Sequence, residues 1–129
     1  MRTKLTVLLA GLALVWLAVP SVVAHHAVGA EYDADQPVTL NGTVTRIEWT
    51  NPHSRLYMDV ADADGTVVNW NLELTARSAL VRQGWTSRSV QVGDTLTVVG
   101  HMARSGAPMV NAREITNADG ETVLRGVNE

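Results

Sequence analysis

The segment "VTLNGTVTRIEW", residues 38–49, constrains this chain more than any other stretch. Val38, Leu40, Gly42 and Val44 alternate with polar residues, so they share one side of a β-strand. The apolar set then resumes at Ile47 and Trp49, one residue out of phase. A slip of this kind inside one long strand requires a bulge or a sharp coil, because side chains switch faces at every residue. Gly42 removes the side chain where such a strand would bend. A long, bent first strand suits a sheet that curls on itself.

The remaining elements follow in the same way. Leu56, Met58 and Val60 alternate with Arg55, Tyr57 and Asp59, and "DADG" supplies a hairpin turn. Val68, Trp70, Leu72 and Leu74 alternate with Val67, Asn69, Asn71 and Glu73. The period then becomes helical over Ala76 to Gln83, with Thr75 or a neighbour as cap and Gly84 as the stop. Trp85 is expected to fold back onto the end of the sheet. Two further strands are expected over Thr95–Arg104 and Met109–Thr116, then a short apolar piece at Thr122–Leu124. Three strands, a helix and two strands, with a bent first strand, predict an all-β fold with one short helix. The expected architecture is an OB-fold-like, five-stranded Greek-key barrel over residues 38–129.

The first residues read differently. Arg2 and Lys4 precede the apolar run Leu5–Val19, Pro20 ends it, and Val22 and Ala24 are small enough for a signal-peptidase site. The run is shorter than the ~20 residues that cross a bilayer core. Residues 1–24 are therefore expected to be a cleaved signal peptide, with Ala30 as the alternative end. Residues 25–37 form a polar lead-in, and the protein is expected to be periplasmic or secreted, with no membrane contact after cleavage. Cleavage takes Arg2 and Lys4 away and leaves eight arginines against 13 acids, a net charge of −5. That balance repels phosphate backbones, so nucleic acid is an unsuitable partner. The chain has no cysteine, so its core must hold it together without disulfides or thiolate metal sites.

Several stretches together carry a resemblance. "AHH", "AEYDADQPVTLNGTV", "EWTNPH", "MDVADADGTVVNW", "RQGW" and "VGDTLTVVG" resemble an exported bacterial family, domain-of-unknown-function family 6152. The likeness spans nearly the whole chain after residue 24. It implies a single secreted domain and brings no activity with it. The chain departs from the family picture at Val28, at "LTARSAL" before the helix, and at the polar pair in "HSRLY".

Two groups of residues can carry a function. In the first, Trp49, Asn51, His53 and Tyr57 surround the loop "TNPHS", beside the ligand face of an OB-fold. Pro52 constrains the backbone that presents His53, and the two aromatics offer a shallow wall. Core packing is the alternative for Trp49, and a self-contained turn for Asn51 and His53. In the second group, a mature N-terminus at His25 would join an α-amine to an imidazole. With His26 or His53 as a third nitrogen, this makes a histidine brace for copper(II). Solvated polar residues after a cleavage site are the plain alternative. Glu31 and Asp33 would serve that site only as outer partners, and Asp62 and Asp64 are read as turn residues. No nucleophile–base–acid order or glycine-rich phosphate loop appears, so no enzyme activity is expected. The expected function is a non-catalytic binding protein for an unknown small ligand or envelope partner, with copper binding as the alternative.

Overall fold

A phase slip in the first strand becomes visible as a change of register. The computed structural model describes residues 28–125, and the chain divides into two compact units, Met1–Glu31 and Tyr32–Glu129. Of the first unit only residues 28–31 are described, and they are helical. In the second unit β1 (Tyr32–Glu48) is followed by β2 (Arg55–Ala61) and β3 (Val67–Glu73). The helix α1 (Arg77–Arg82) then precedes β4 (Thr95–Ala103), β5 (Met109–Asn117) and β6 (Thr122–Arg125). The fold is all-β with one short helix in this unit.

The strands are ordered β3-β2-β1-β4-β5-β6 with antiparallel neighbours, and β3 also pairs with β5 in parallel. The first five strands therefore form a ring. β1 serves two neighbours, pairing with β4 through Tyr32–Thr43 and with β2 through Thr43–Glu48. Its register to β2 shifts between Val44 and Arg46, where the apolar phase slips. Gly42 has a related reason. A Cβ there would lie 2.5 Å from the Asp59 carbonyl oxygen, so β1 and β2 approach too closely for any side chain.

β1 starts six residues before the apolar alternation does. Tyr32, Asp33 and Pro37 stand opposite Ala103, Met102 and His101 of β4, with a register shift between Asp33 and Pro37, and backbone pairing requires no apolar periodicity. The terminal apolar piece becomes a sixth strand on β5. At the helix, Ala76 occupies the N-cap position and no side chain caps it, so Thr75 does not have that role. Gly84 follows with φ +89°, the left-handed geometry expected of the stop.

The core holds Leu40, Val44, Leu56, Met58, Leu72, Leu96, Val98, Val110 and Ile115, contributed by all five ring strands, with Leu80 from α1. Burying each such side chain stabilises the fold by about 1.5–3 kcal/mol before chain entropy is counted. Trp85 is buried against this cluster and donates its indole N–H to the Val123 carbonyl. This is the expected return of Trp85 onto the sheet.

Candidate functional site

The loop after β1 is tied to the segment that leads into α1. Thr50 donates its hydroxyl to the His53 carbonyl at 2.8 Å, and Ser54 donates its own to the Thr50 carbonyl. Ser54 and residues 74–75 exchange backbone bonds: Ser54 N–H reaches the Thr75 carbonyl, and Leu74 N–H reaches the Ser54 carbonyl. Arg77 N–H adds a bond to the Thr50 carbonyl. Ser54 is fully buried, and the Asn51–Pro52 peptide bond is cis. His53 is thus presented from a loop held at both ends.

The imidazole of His53 has a defined orientation. Its Nδ1 lies 3.2 Å from the Leu74 carbonyl oxygen and 3.4 Å from Glu73 Oε1. Both neighbours only accept hydrogen bonds, so Nδ1 carries the proton. In the neutral ring Nε2 then holds the lone pair, on a side chain 40% exposed. A histidine arranged this way keeps Nε2 clear of the Leu74 and Glu73 contacts, as a ligand or hydrogen-bond acceptor.

Glu73 is the anchor. It sits on the sheet face opposite the core, in the alternating set Asn69, Asn71, Glu73, yet it is buried. Arg55, its register partner on β2, donates Nη2–H to Glu73 Oε2 at 2.9 Å and Nη1–H to Asn71 Oδ1 at 3.1 Å. Tyr32 donates its hydroxyl to the same carboxylate oxygen at 3.2 Å and is itself buried. A buried carboxylate without partners costs several kcal/mol, and here Arg55, Tyr32 and His53 all face it. Across the parallel pairing Glu73 neighbours Asn111, which in turn is paired with His101 on β4.

The expected aromatic wall is divided between two faces. Trp49 packs against the core cluster and meets Trp85 edge-on, with centroids 5.9 Å apart. Tyr57 lies on the opposite face, with the Arg46 guanidinium 3.7 Å above its ring and its hydroxyl donated to Glu48. Of the four loop residues, Asn51 is exposed and His53 alone joins the Glu73 cluster. The bulge at Val44/Arg46 explains the division, because it turns Ile47 and Trp49 to the core and leaves Arg46 beside Tyr57.

His25 and His26 lie outside the described residues. Among the described residues no group of three or more His, Cys, Asp or Glu side chains could hold a metal. Asp33 pairs with Arg104 at 3.3 Å and accepts from Asp35 N–H and Gln36, and Glu31 is exposed. Asp62 and Asp64 close their hairpin turn by accepting from the Thr66 N–H, as turn residues do. The Thr66 hydroxyl first, then a hydrogen bond with Asp62 and the Thr66 N–H, hold the Asp64 carboxyl pKa down at about 2.

The family model described as a family of unknown function, DUF6152, matches residues 13–111. The chain belongs to this family. Neither a curated protein nor a solved structure matches it. In this DUF6152 member the match covers β1 to β4, the histidine loop and the Arg55–Glu73 pair.

Tyr32, Arg55 and Glu73 are the residues that alternation alone passed over. Glu73 reads as an outward polar residue, and outward is normally solvated. One signal was present: in "NLELT" a lone acid stands between two core leucines, beside an arginine that hairpin register sets opposite.

Proposed function

We propose that the protein is an exported, non-catalytic binding module whose ligand is received at the outward Nε2 edge of His53. The observation that carries this reading is the Leu74 carbonyl at 3.2 Å from His53 Nδ1, with the Glu73 carboxylate 3.4 Å from the same nitrogen. Groups buried at a cost to orient one exposed nitrogen are better explained by recognition than by packing. The ring order β3-β2-β1-β4-β5, the bent β1 and the helix between β3 and β4 support an OB-type barrel as the scaffold. In such a barrel the loop that bears His53 flanks the ligand face. The test is native mass spectrometry of the protein purified from its own cell envelope, beside the H53A and E73Q variants. Wild type carries a bound mass that both variants lose. Equal retention by the variants overturns the assignment to His53.

A second reading is favoured by the same carboxylate–histidine pair, which is a common outer arrangement of metal-bound histidines. In it, copper(II) takes the amine and ring of a mature N-terminal His25, with His53 Nε2 or His26 as third nitrogen. Copper(II) titration of the chain starting at His25 is then expected to show tight binding. One added N-terminal residue, or H53A if His53 is the third ligand, weakens it sharply. Equal affinity with and without the added residue removes the brace.

A further inference from the structure

The face that carries Glu73 continues over β5 and β4 to an arginine that its surroundings leave unanswered. Ala112 and Ile115 are both buried in the core although they are three residues apart, so Arg113 and Glu114 both project to the opposite face. The register confirms the extra residue: Gly100 pairs with Ala112 and Val99 with Glu114, which leaves Arg113 as the bulged position. A bulge of this kind re-aims a side chain. Gly100 fits beside it because a Cβ there would run into the Asn111 carbonyl oxygen.

Arg113 Nε is buried and, among the described residues, has no hydrogen-bond partner. Among the described residues no carboxylate forms an ion pair with it, whereas Arg55 is answered by Glu73 and Arg104 by Asp33. His101 lies close enough to sense it. Burial, and then the Arg113 charge, hold the His101 ring below its ordinary pKa, while Asp33 pulls the other way. Asn111 pairs with His101 and supplies a side-chain amide on the same face. Arg113 therefore stands on a bulge with no ion pair and with one buried donor unanswered among the described residues.

We propose that Arg113, with Asn111 and His101, binds a small monocarboxylate on the outer face of the β4–β5 pair. The planar guanidinium fork matches a carboxylate. One guanidinium without an ion pair among the described residues suits a monoanion, and the nearby carboxylates of Glu73, across from Asn111, and Glu114, on the same face, disfavour a dianion such as phosphate. The site stands one strand away from Glu73 and does not depend on what His53 binds.

The test is an NMR titration of 15N-labelled protein, purified from the cells that express it, followed at the Arg113 Nε–Hε signal. Sodium acetate, sodium phosphate and sodium chloride are added at matched ionic strength. Acetate is expected to produce a saturable shift with a millimolar midpoint, and to raise the thermal midpoint of wild type. R113K, which keeps the charge and loses the fork, binds acetate roughly tenfold more weakly. R113Q loses the saturable response at Asn111 and His101, and in acetate-free buffer it melts at or above wild type. Linear shifts that are the same for all three salts overturn the site. Saturation by phosphate alone overturns the carboxylate assignment. If R113Q melts well below wild type or fails to fold, the wild-type titration and R113K decide.

Discussion

Arg55 and Glu73 face each other across the β2–β3 pairing at 2.9 Å, with the Glu73 side chain 6% exposed and that of Arg55 28% exposed. The pair is lopsided. Glu73 has little access to water, so the carboxylate depends on Arg55, Tyr32 and His53, while Arg55 keeps partial solvation.

Removing the arginine should therefore cost more than removing the acid. Arg55→Ala leaves a buried carboxylate with fewer donors and is expected to lose about 2–3 kcal/mol, below the ~3–5 kcal/mol of fully buried pairs because Arg55 is partly solvated. Glu73→Gln keeps an acceptor for Tyr32 and should lose about 1 kcal/mol. Urea denaturation of both variants checks the order. If E73Q is the more damaging, the carboxylate is not the dependent partner.

The tautomer of His53 is open to direct observation. Long-range 1H–15N correlation at pH above the ring's titration should show Nδ1 protonated and Nε2 bare. Asp or Glu is the usual partner that holds a histidine in one tautomer. E73Q should therefore raise the share of the Nε2-protonated form. An Nε2-protonated ring in wild type would contradict the geometry.

Among the described glycines, Gly42 and Gly100 are the two against which another strand's backbone closes. Gly42→Ala forces a methyl against the Asp59 carbonyl, and Gly100→Ala does the same at the Asn111 carbonyl. Each is expected to cost about 1–3 kcal/mol through overpacking, with the strands forced apart. Thermal melts followed by circular dichroism measure it, and an unchanged midpoint for either would show that the strands part freely there.

Stability should fall on mild acidification because of His101. Its pKa in the folded protein is lowered by burial and by Arg113. Between the unfolded reference of about 6.5 and the lower folded value, the unfolded chain binds more protons, so stability drops as pH falls. His101→Asn should remove that component, and R113Q should reduce it. Denaturant midpoints across the acid range report the slope, and identical slopes for wild type and H101N would remove His101 as its source.

Alternation was enough to locate the strands, since polarity at every second residue reports a face, and the phase slip at Val44–Ile47 marked the bulge within a residue. Gly84 and Trp85 were legible because a left-handed stop and a large indole each have few places to go. Alternation assigns a face without saying what covers it. Tyr32 stood in a polar stretch with no periodicity, and Glu73 looked solvated, until backbone pairing drew residues 32–37 onto β4.

Local pattern therefore determined the order of elements, the absence of covalent cross-links and the presentation of His53 on a turn. Tertiary structure alone decided that Glu73 is buried, that Tyr57 and Trp49 part to opposite faces, and that Arg113 stands on a bulge with its Nε unpartnered among the described residues. The physical reason is range. Side-chain periodicity is a property of neighbours in sequence, whereas the environment of a charge is set by residues as distant as Tyr32 and Glu73, which only ring closure brings within 3.2 Å.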